Sequence, residues 1–336
     1  MIYGHGDDLW RYAGKVKHNF STNIRASFDL SPLMEILCAD LATLTSYPEP
    51  EPVSVEKAIA EINGIKPEEV MVTNGATESI YLIARTGSGC HSAIIIPTFR
   101  EYQDGCRMNG HRISFVNTLA EIPADSQMVW LCNPNNPTGT VTDRQRLLRV
   151  AARNPDKIFV IDQAYADYTP LQTLSARDVL TAGNIILLGS LTKRFAVPGL
   201  RIGYSIANAT LLSRVKAWRM PWAVNAPAIK CANYLLEHRD SYKIDTIGLH
   251  SEALRIAREL TGAGIKVWPT DCNFILCELP LGKASDLKDY LMETEGILLR
   301  DASNFEGLGK VHFRLAAQSP SENDLIINRI KQWITS

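Results

Sequence analysis

The chain has 336 residues, with 35 Lys and Arg against 36 Asp and Glu, and 46% of its residues are hydrophobic. That size and balance describe a globular protein able to bury a real core, as one large α/β domain or as a large domain with a smaller one. A formal charge of −1 argues against nucleic acid as partner, since phosphate backbones call for a surplus of basic side chains, and no apolar run reaches membrane-spanning length.

The opening Met1–Trp10 segment has neither a basic stretch nor an apolar one, so no secretory signal is expected. Seven cysteines are scattered, odd in number and without a C-x-x-C pair. They read as reduced, mostly buried thiols of a cytoplasmic protein, and no metal is called for.

In chain order, residues 1–45 read as an N-terminal arm that completes a small domain, 46–222 as a large domain and 223–336 as the small C-terminal domain. Tyr47-Pro48-Glu49-Pro50-Glu51-Pro52 is a stiff, extended connector. From Ser54 to Tyr204, helical patterns alternate with short apolar runs at Val70–Thr73, Ala93–Ile96, Met128–Cys132, Ile158–Asp162 and Ile185–Gly189. Such alternation predicts a mostly parallel sheet covered by helices on both faces, an α/β architecture. Beyond Met220-Pro221 the pattern predicts strands near Ile265–Trp268 and Asn273–Glu278 and a closing helix over Glu322–Ile334, a smaller α+β unit.

Ligands of open α/β sheets collect beyond the carboxyl ends of the strands. Four of the five runs end in unusual polar chemistry: Asn74-Gly75-Ala76-Thr77-Glu78, Asn133 to Gly139, Asp162-Gln163-Ala164-Tyr165 and Ser190-Leu191-Thr192-Lys193. Each is ordinary alone. Gly75-Ala76-Thr77 could be a plain helix start, Lys193 a solvated lysine and Asp162 a helix cap. Together they supply a phosphate cradle at a helix N-terminus, a carboxylate three residues before a tyrosine, and a lysine eight residues before Arg201, which is what a phosphorylated pyridine aldehyde requires.

Asn136-Pro137-Thr138-Gly139, Asp162-x-x-Tyr165 and the run from Ser190 to Tyr204 resemble the cofactor signature of fold-type I pyridoxal 5′-phosphate (PLP) enzymes, and the likeness extends over nearly the whole chain. It implies an aspartate-aminotransferase-like fold, PLP as cofactor and a homodimer. Lys193 would carry the cofactor as a Schiff base and act as proton-transferring base, Asp162 would pair with the pyridine nitrogen, and Asn136 and Tyr165 would donate to the phenolic oxygen. Phe99 would stack on the ring. Gly75, Ala76, Thr77, Ser190 and Arg201 would hold the phosphate, and Tyr47 would reach the phosphate of the neighbouring subunit.

Within that family, His5-Gly6, Phe20-Ser21-Thr22-Asn23-Ile24 and Met220 to Ala226 resemble threonine-phosphate decarboxylases of cobalamin synthesis, with histidinol-phosphate aminotransferases next. The resemblance implies that Arg314 binds a substrate carboxylate while His5, Asn23 and Arg300 surround a substrate phosphate, with Asn136 also facing substrate. In one departure, His5-Gly6-Asp7-Asp8 stands where those decarboxylases have His-Gly-Gly-Asn, which sets two carboxylates near the expected phosphate. A non-catalytic PLP-binding regulator is disfavoured, because such proteins add a basic DNA-binding domain for which the chain has no room. Thr86-Gly87-Ser88-Gly89 precedes a strand rather than opening a helix, so it is no nucleotide-binding loop.

Overall fold

The computed structural model describes residues 6–12, 14–24 and 28–335. His5 therefore lies outside the described residues. The chain enters with a two-residue strand, β1 (His18–Asn19), and a helix over Ser31–Ala39. Seven strands then form one sheet: β2 (Val70–Thr73), β3 (His91–Ile95), β4 (Arg112–Val116), β5 (Met128–Cys132), β6 (Ile158–Asp162), β7 (Ile185–Gly189) and β8 (Gly203–Ile206). Four further strands, β9 (Lys266–Val267), β10 (Phe274–Glu278), β12 (Arg300–Asp301) and β13 (His312–Ala316), make an antiparallel sheet, while β11 (Ile297–Leu298) pairs in parallel with β1.

The large sheet runs β2-β8-β7-β6-β5-β3-β4. Pairings among β3 to β7 are parallel, and β8 is antiparallel to both of its neighbours, so β2 and β7 point the same way. All five expected apolar runs are strands of this sheet. The expected strands at 265–268 and 273–278 and the C-terminal helix, here Pro320–Thr335, are present as well.

Two strands of the large sheet were not expected, and their sequences explain why. β4 is a sheet-edge strand, Arg-Ile-Ser-Phe-Val, with polar residues at alternate positions and only Val116 fully buried. β8 opens on Gly203-Tyr204-Ser205, which lacks an apolar run, and is set by pairing on both sides with β2 and β7.

β5 and β7 are buried at every position, as strands covered on both faces must be. One face packs Val72, Val129, Phe159, Ile161 and Leu187 against the helices Val53–Asn63 and Ala226–Glu237. The other packs Met71, Trp130, Val160 and Leu188 against the helices Ala76–Thr86, Glu101–Met108 and Ala209–Lys216. Each fully buried aliphatic side chain contributes about 1.5–3 kcal/mol through removal from water. A separate core joins Phe20, Ile256, Ile275, Phe313 and Ile326 around the small sheet. Val224 and the helix Ala226–Glu237 pack with the large sheet, although they lie on the small-domain side of the division read at residue 222.

Candidate active site

A cavity of about 580 Å³ lies at the carboxyl edge of the large sheet. Its floor is built by strand ends: Gly75 to Thr77 beyond β2, Asn136 beyond β5, Asp162 closing β6, and Ser190 and Lys193 beyond β7. Because β8 runs opposite to its neighbours, Arg201, two residues before it, arrives at the same edge. Gly6, Asp7 and Ser21 to Asn23 come from the N-terminal segment, and Arg314 from β13 of the small sheet. Residues far apart in sequence are thus brought together by topology.

At one end is a phosphate-sized cradle. Gly75 caps the helix Ala76–Thr86 with φ +79°, a conformation that disfavours a side chain, and a Cβ there would stand 2.6 Å from Nη2 of Arg201. Gly203 allows the two backbones to meet, since its Cβ would stand 2.3 Å from the Ala76 nitrogen. The helix start leaves backbone N–H groups free, with a guanidinium and the Ser190 hydroxyl close by.

The centre holds the acid–base groups. Asp162, 4% exposed, accepts from the Tyr102 hydroxyl at 2.7 Å and from the Ala164 N–H at 2.9 Å. Burial raises its pKa, while those two bonds and the charge of Lys193 oppose the rise. Ser190 caps the short helix Leu191–Arg194, and the Lys193 carbonyl accepts from Tyr168 at 2.9 Å, so the lysine stands on a braced turn. Its ammonium lies 5.8 Å from the Tyr165 ring centre. Burial, then Arg314, pull the Lys193 pKa down to about 8, with Arg201 adding to the fall and Asp7 and Asp162 resisting it. Burial pushes Tyr165 up to about 12 against the pull of Arg314.

At the other end, Arg314 is 4% exposed and donates to Asn136 Oδ1 and, at 2.5 Å, to the Ser21 carbonyl. Asn23, 1% exposed, is near enough to Tyr165 to favour its phenolate, yet neither amide atom has a protein hydrogen-bond partner of good geometry. Arg300, 8% exposed, borders an adjoining chamber shared with Phe99, Asn136 and Arg314. Among the described residues, no carboxylate forms an ion pair with Arg300 or Arg314. Asp8 pairs instead with Lys288 at 2.9 Å, while Asp7 faces the main cavity and accepts from Asn19 at 2.6 Å. The two carboxylates at the departure from the decarboxylase-like start therefore have different surroundings.

Every expected site residue that is described lines these two spaces except Tyr47, which is 84% exposed and packs on Trp222 with ring centres 5.2 Å apart. The sequence reading missed Tyr102 and the Tyr81–Glu101 pair, whose hydroxyl-to-carboxylate bond of 2.6 Å lies on the cavity wall. Tyr102 and Glu101 follow β3, the one expected strand whose end carried no conspicuous polar motif, while Tyr81 lies on the helix Ala76–Thr86. Phe99-Arg100-Glu101-Tyr102, opening a helix there, was the available signal.

Residues 25–330 match the family of class I and II aminotransferases. The chain belongs to that family. A crystal structure of L-threonine-O-3-phosphate decarboxylase from Porphyromonas gingivalis matches with a TM-score of 0.92 at 34% identity, covering 95% of this chain and 100% of that one. The threonine-phosphate decarboxylase of Salmonella typhimurium is 27% identical over 335 residues, covering 94% of this chain and 91% of the relative. A histidinol-phosphate aminotransferase of Desulfitobacterium hafniense is 27% identical over 318 residues, covering 89% and 86%. The fold is that of aspartate aminotransferase, and PLP is the cofactor of the chain as a member of this family. The residues present fit it: a glycine-cleared helix start beside an arginine suits the phosphate, a buried carboxylate with no basic ion-pair partner among the described residues suits a protonated ring nitrogen, and a buried amine of lowered pKa suits an aldehyde.

Proposed function

We propose that the protein is a PLP-dependent decarboxylase that converts L-threonine O-3-phosphate to (R)-1-amino-2-propanol O-2-phosphate and CO₂ in cobalamin biosynthesis. The observation that carries this reading is the pair Arg314 and Arg300, buried beyond Asn136 with no carboxylate of the described chain in an ion pair with either. Two such guanidiniums suit a small substrate with an anion at each end, and Arg offers the planar fork that carboxylate and phosphate favour.

In this reading Ser190, Arg201 and the N–H groups of Ala76 and Thr77 hold the cofactor phosphate. Asp162 faces the ring nitrogen, Asn136 and Tyr165 face the phenolic oxygen, and Phe99 covers the ring. The bound cofactor supplies an electron sink for the pair left at Cα when a substituent departs. Arg314 orients the departing carboxylate, Asn23 and Arg300 hold the distal phosphate, and Lys193 delivers a proton from Nζ to Cα once CO₂ has left. A lysine whose pKa is drawn toward the working pH can both give and take that proton. His5, assigned to the same phosphate, lies outside the described residues.

Tyr47 turns away from its own cavity and into solvent. That exposure supports a homodimer in which it reaches the partner's cofactor phosphate. Free cysteines throughout the described residues and the lack there of any helix long and apolar enough to cross a membrane support a cytoplasmic setting.

The second reading is a histidinol-phosphate aminotransferase, favoured by a relative at equal identity and by a main cavity roomy enough for a flat ring. The deciding experiment incubates PLP-loaded protein with L-threonine O-3-phosphate and follows CO₂. Histidinol phosphate with 2-oxoglutarate is the parallel assay and Lys193→Ala the blank. CO₂ release lost in the blank is the expected result. Glutamate formation without CO₂ overturns the decarboxylase reading in favour of the aminotransferase.

A further inference from the structure

The chamber beside the main cavity has a volume of about 40 Å³. It opens past Phe99, Asn136 and Arg314 and is walled on its far side by Arg100, Arg300 and Asn304. Three of its described lining residues are arginines and none is acidic. One water occupies about 10–15 Å³ on this measure, so the space takes a few heavy atoms, the scale of a phosphate's oxygens rather than of a flat ring.

Two of the guanidiniums are braced by neutral groups. Arg314 is held by Asn136 and the Ser21 carbonyl, and Arg300 donates to Asn304 Oδ1 at 2.7 Å and lies over the Phe305 ring. Arg100 differs from both. It stands just before the helix Glu101–Met108, one position after the cavity-lining Phe99, and its Nε is 3.4 Å from Asp104 Oδ2. That buried Nε has no hydrogen-bond partner, so the charge contact steadies the guanidinium without satisfying it. Burial and Arg314 both act against the charge on Arg300, and burial acts against that on Arg314. Guanidinium stays protonated under such pressure, so what Arg300 and Arg314 lack among the described residues is a counter-anion.

We propose that Arg100 is a specificity-determining residue which, with Arg300, binds the terminal phosphate of a short phosphorylated amino acid and leaves Arg314 for the α-carboxylate. The proposal rests on the substrate reading above and deepens it. A phosphate monoester and a carboxylate together bring about three negative charges, which meet Arg300 and Arg314, unpaired with any described carboxylate, and Arg100, whose charge Asp104 offsets in part. The small chamber selects a compact anion carried one or two atoms beyond Cα.

The test uses PLP-loaded enzyme and an unreactive probe, 3-phosphooxybutanoate, which keeps both anions of threonine phosphate but has no amino group. Its binding by calorimetry is compared with that of 3-hydroxybutanoate for the native protein, Arg100→Gln and Arg100→Lys. Loss of one charge-assisted contact predicts that Arg100→Gln weakens the phosphorylated probe about 10- to 100-fold and leaves 3-hydroxybutanoate within about twofold, with Arg100→Lys intermediate. In turnover, KM for threonine phosphate rises while kcat changes little. Unchanged binding of the phosphorylated probe in Arg100→Gln, or equal loss for both probes, overturns the role of Arg100 alone. A native protein that does not prefer the phosphorylated probe overturns the substrate reading, and this proposal with it.

Discussion

The phenol of Tyr102 donates a 2.7 Å hydrogen bond to Oδ2 of Asp162, with both side chains buried beneath the cavity. Burial drives the Tyr102 pKa well above its ordinary value, so this hydroxyl remains a donor. It is one of the influences that keep Asp162 ionised. Tyr102→Phe should therefore reduce kcat/KM by about 10- to 100-fold, the worth of one hydrogen bond to a charged group, and weaken PLP retention. Steady-state kinetics with a PLP titration checks this; unchanged values would confine Tyr102 to packing against Trp130 and Phe99.

Gly75→Ala should lower PLP affinity more than it lowers stability. The new methyl would press on the Arg201 guanidinium, and a positive φ costs a non-glycine residue about 1–3 kcal/mol. Dialysis against a carbonyl scavenger followed by PLP titration reads affinity, and thermal unfolding of the cofactor-free protein reads stability.

The Lys193 pKa, drawn down to about 8, has a consequence for stability. The unfolded lysine keeps its proton to about pH 10.4. Between those values the unfolded state binds more protons, so stability of the cofactor-free protein rises with pH across this window. Native protein should gain Tm relative to Lys193→Met from about pH 8 to pH 10.4, and parallel Tm curves would count against the lowered pKa.

Asp7 raises the Lys193 pKa, opposing burial. Asp7→Asn removes that support, so the amine should lose its proton at a lower pH than in native protein. The pH dependence of Lys193 acylation in cofactor-free protein, read by peptide mass spectrometry, should shift downward; an upward shift would contradict the placement of Asp7 on the cavity wall.

Arg314→Lys keeps the charge but loses the fork that now engages Asn136 and the Ser21 carbonyl. It should raise KM about 10-fold or more for a substrate bearing an α-carboxylate. The same substitution should matter less for histidinol phosphate, which has no carboxylate, so the ratio of the two effects reports on substrate as well as on the residue.

The large sheet and the cofactor end of the cavity were legible in the sequence because their signals are local. Fully buried parallel strands read as continuous apolar runs, and the polar groups that follow them, from Gly75 to Lys193, stand at the one sheet edge where side chains can converge. The tertiary structure alone decided what depends on pairing and on charge neighbours. β8 is a strand because β2 and β7 flank it, and its reversed direction carries Arg201 to the phosphate cradle. Asp7 and Asp8 are adjacent in sequence, yet one faces the cavity and the other is paired with Lys288, a separation that goes with a positive φ at Asp7 and with the position of the helix Ala284–Glu295. Tyr102 and Arg100 owe their places to the turn after β3, whose residues announce no motif. Chemistry carried by one strand end is written in consecutive residues, whereas the pairing of charges between distant segments exists only once the chain has folded.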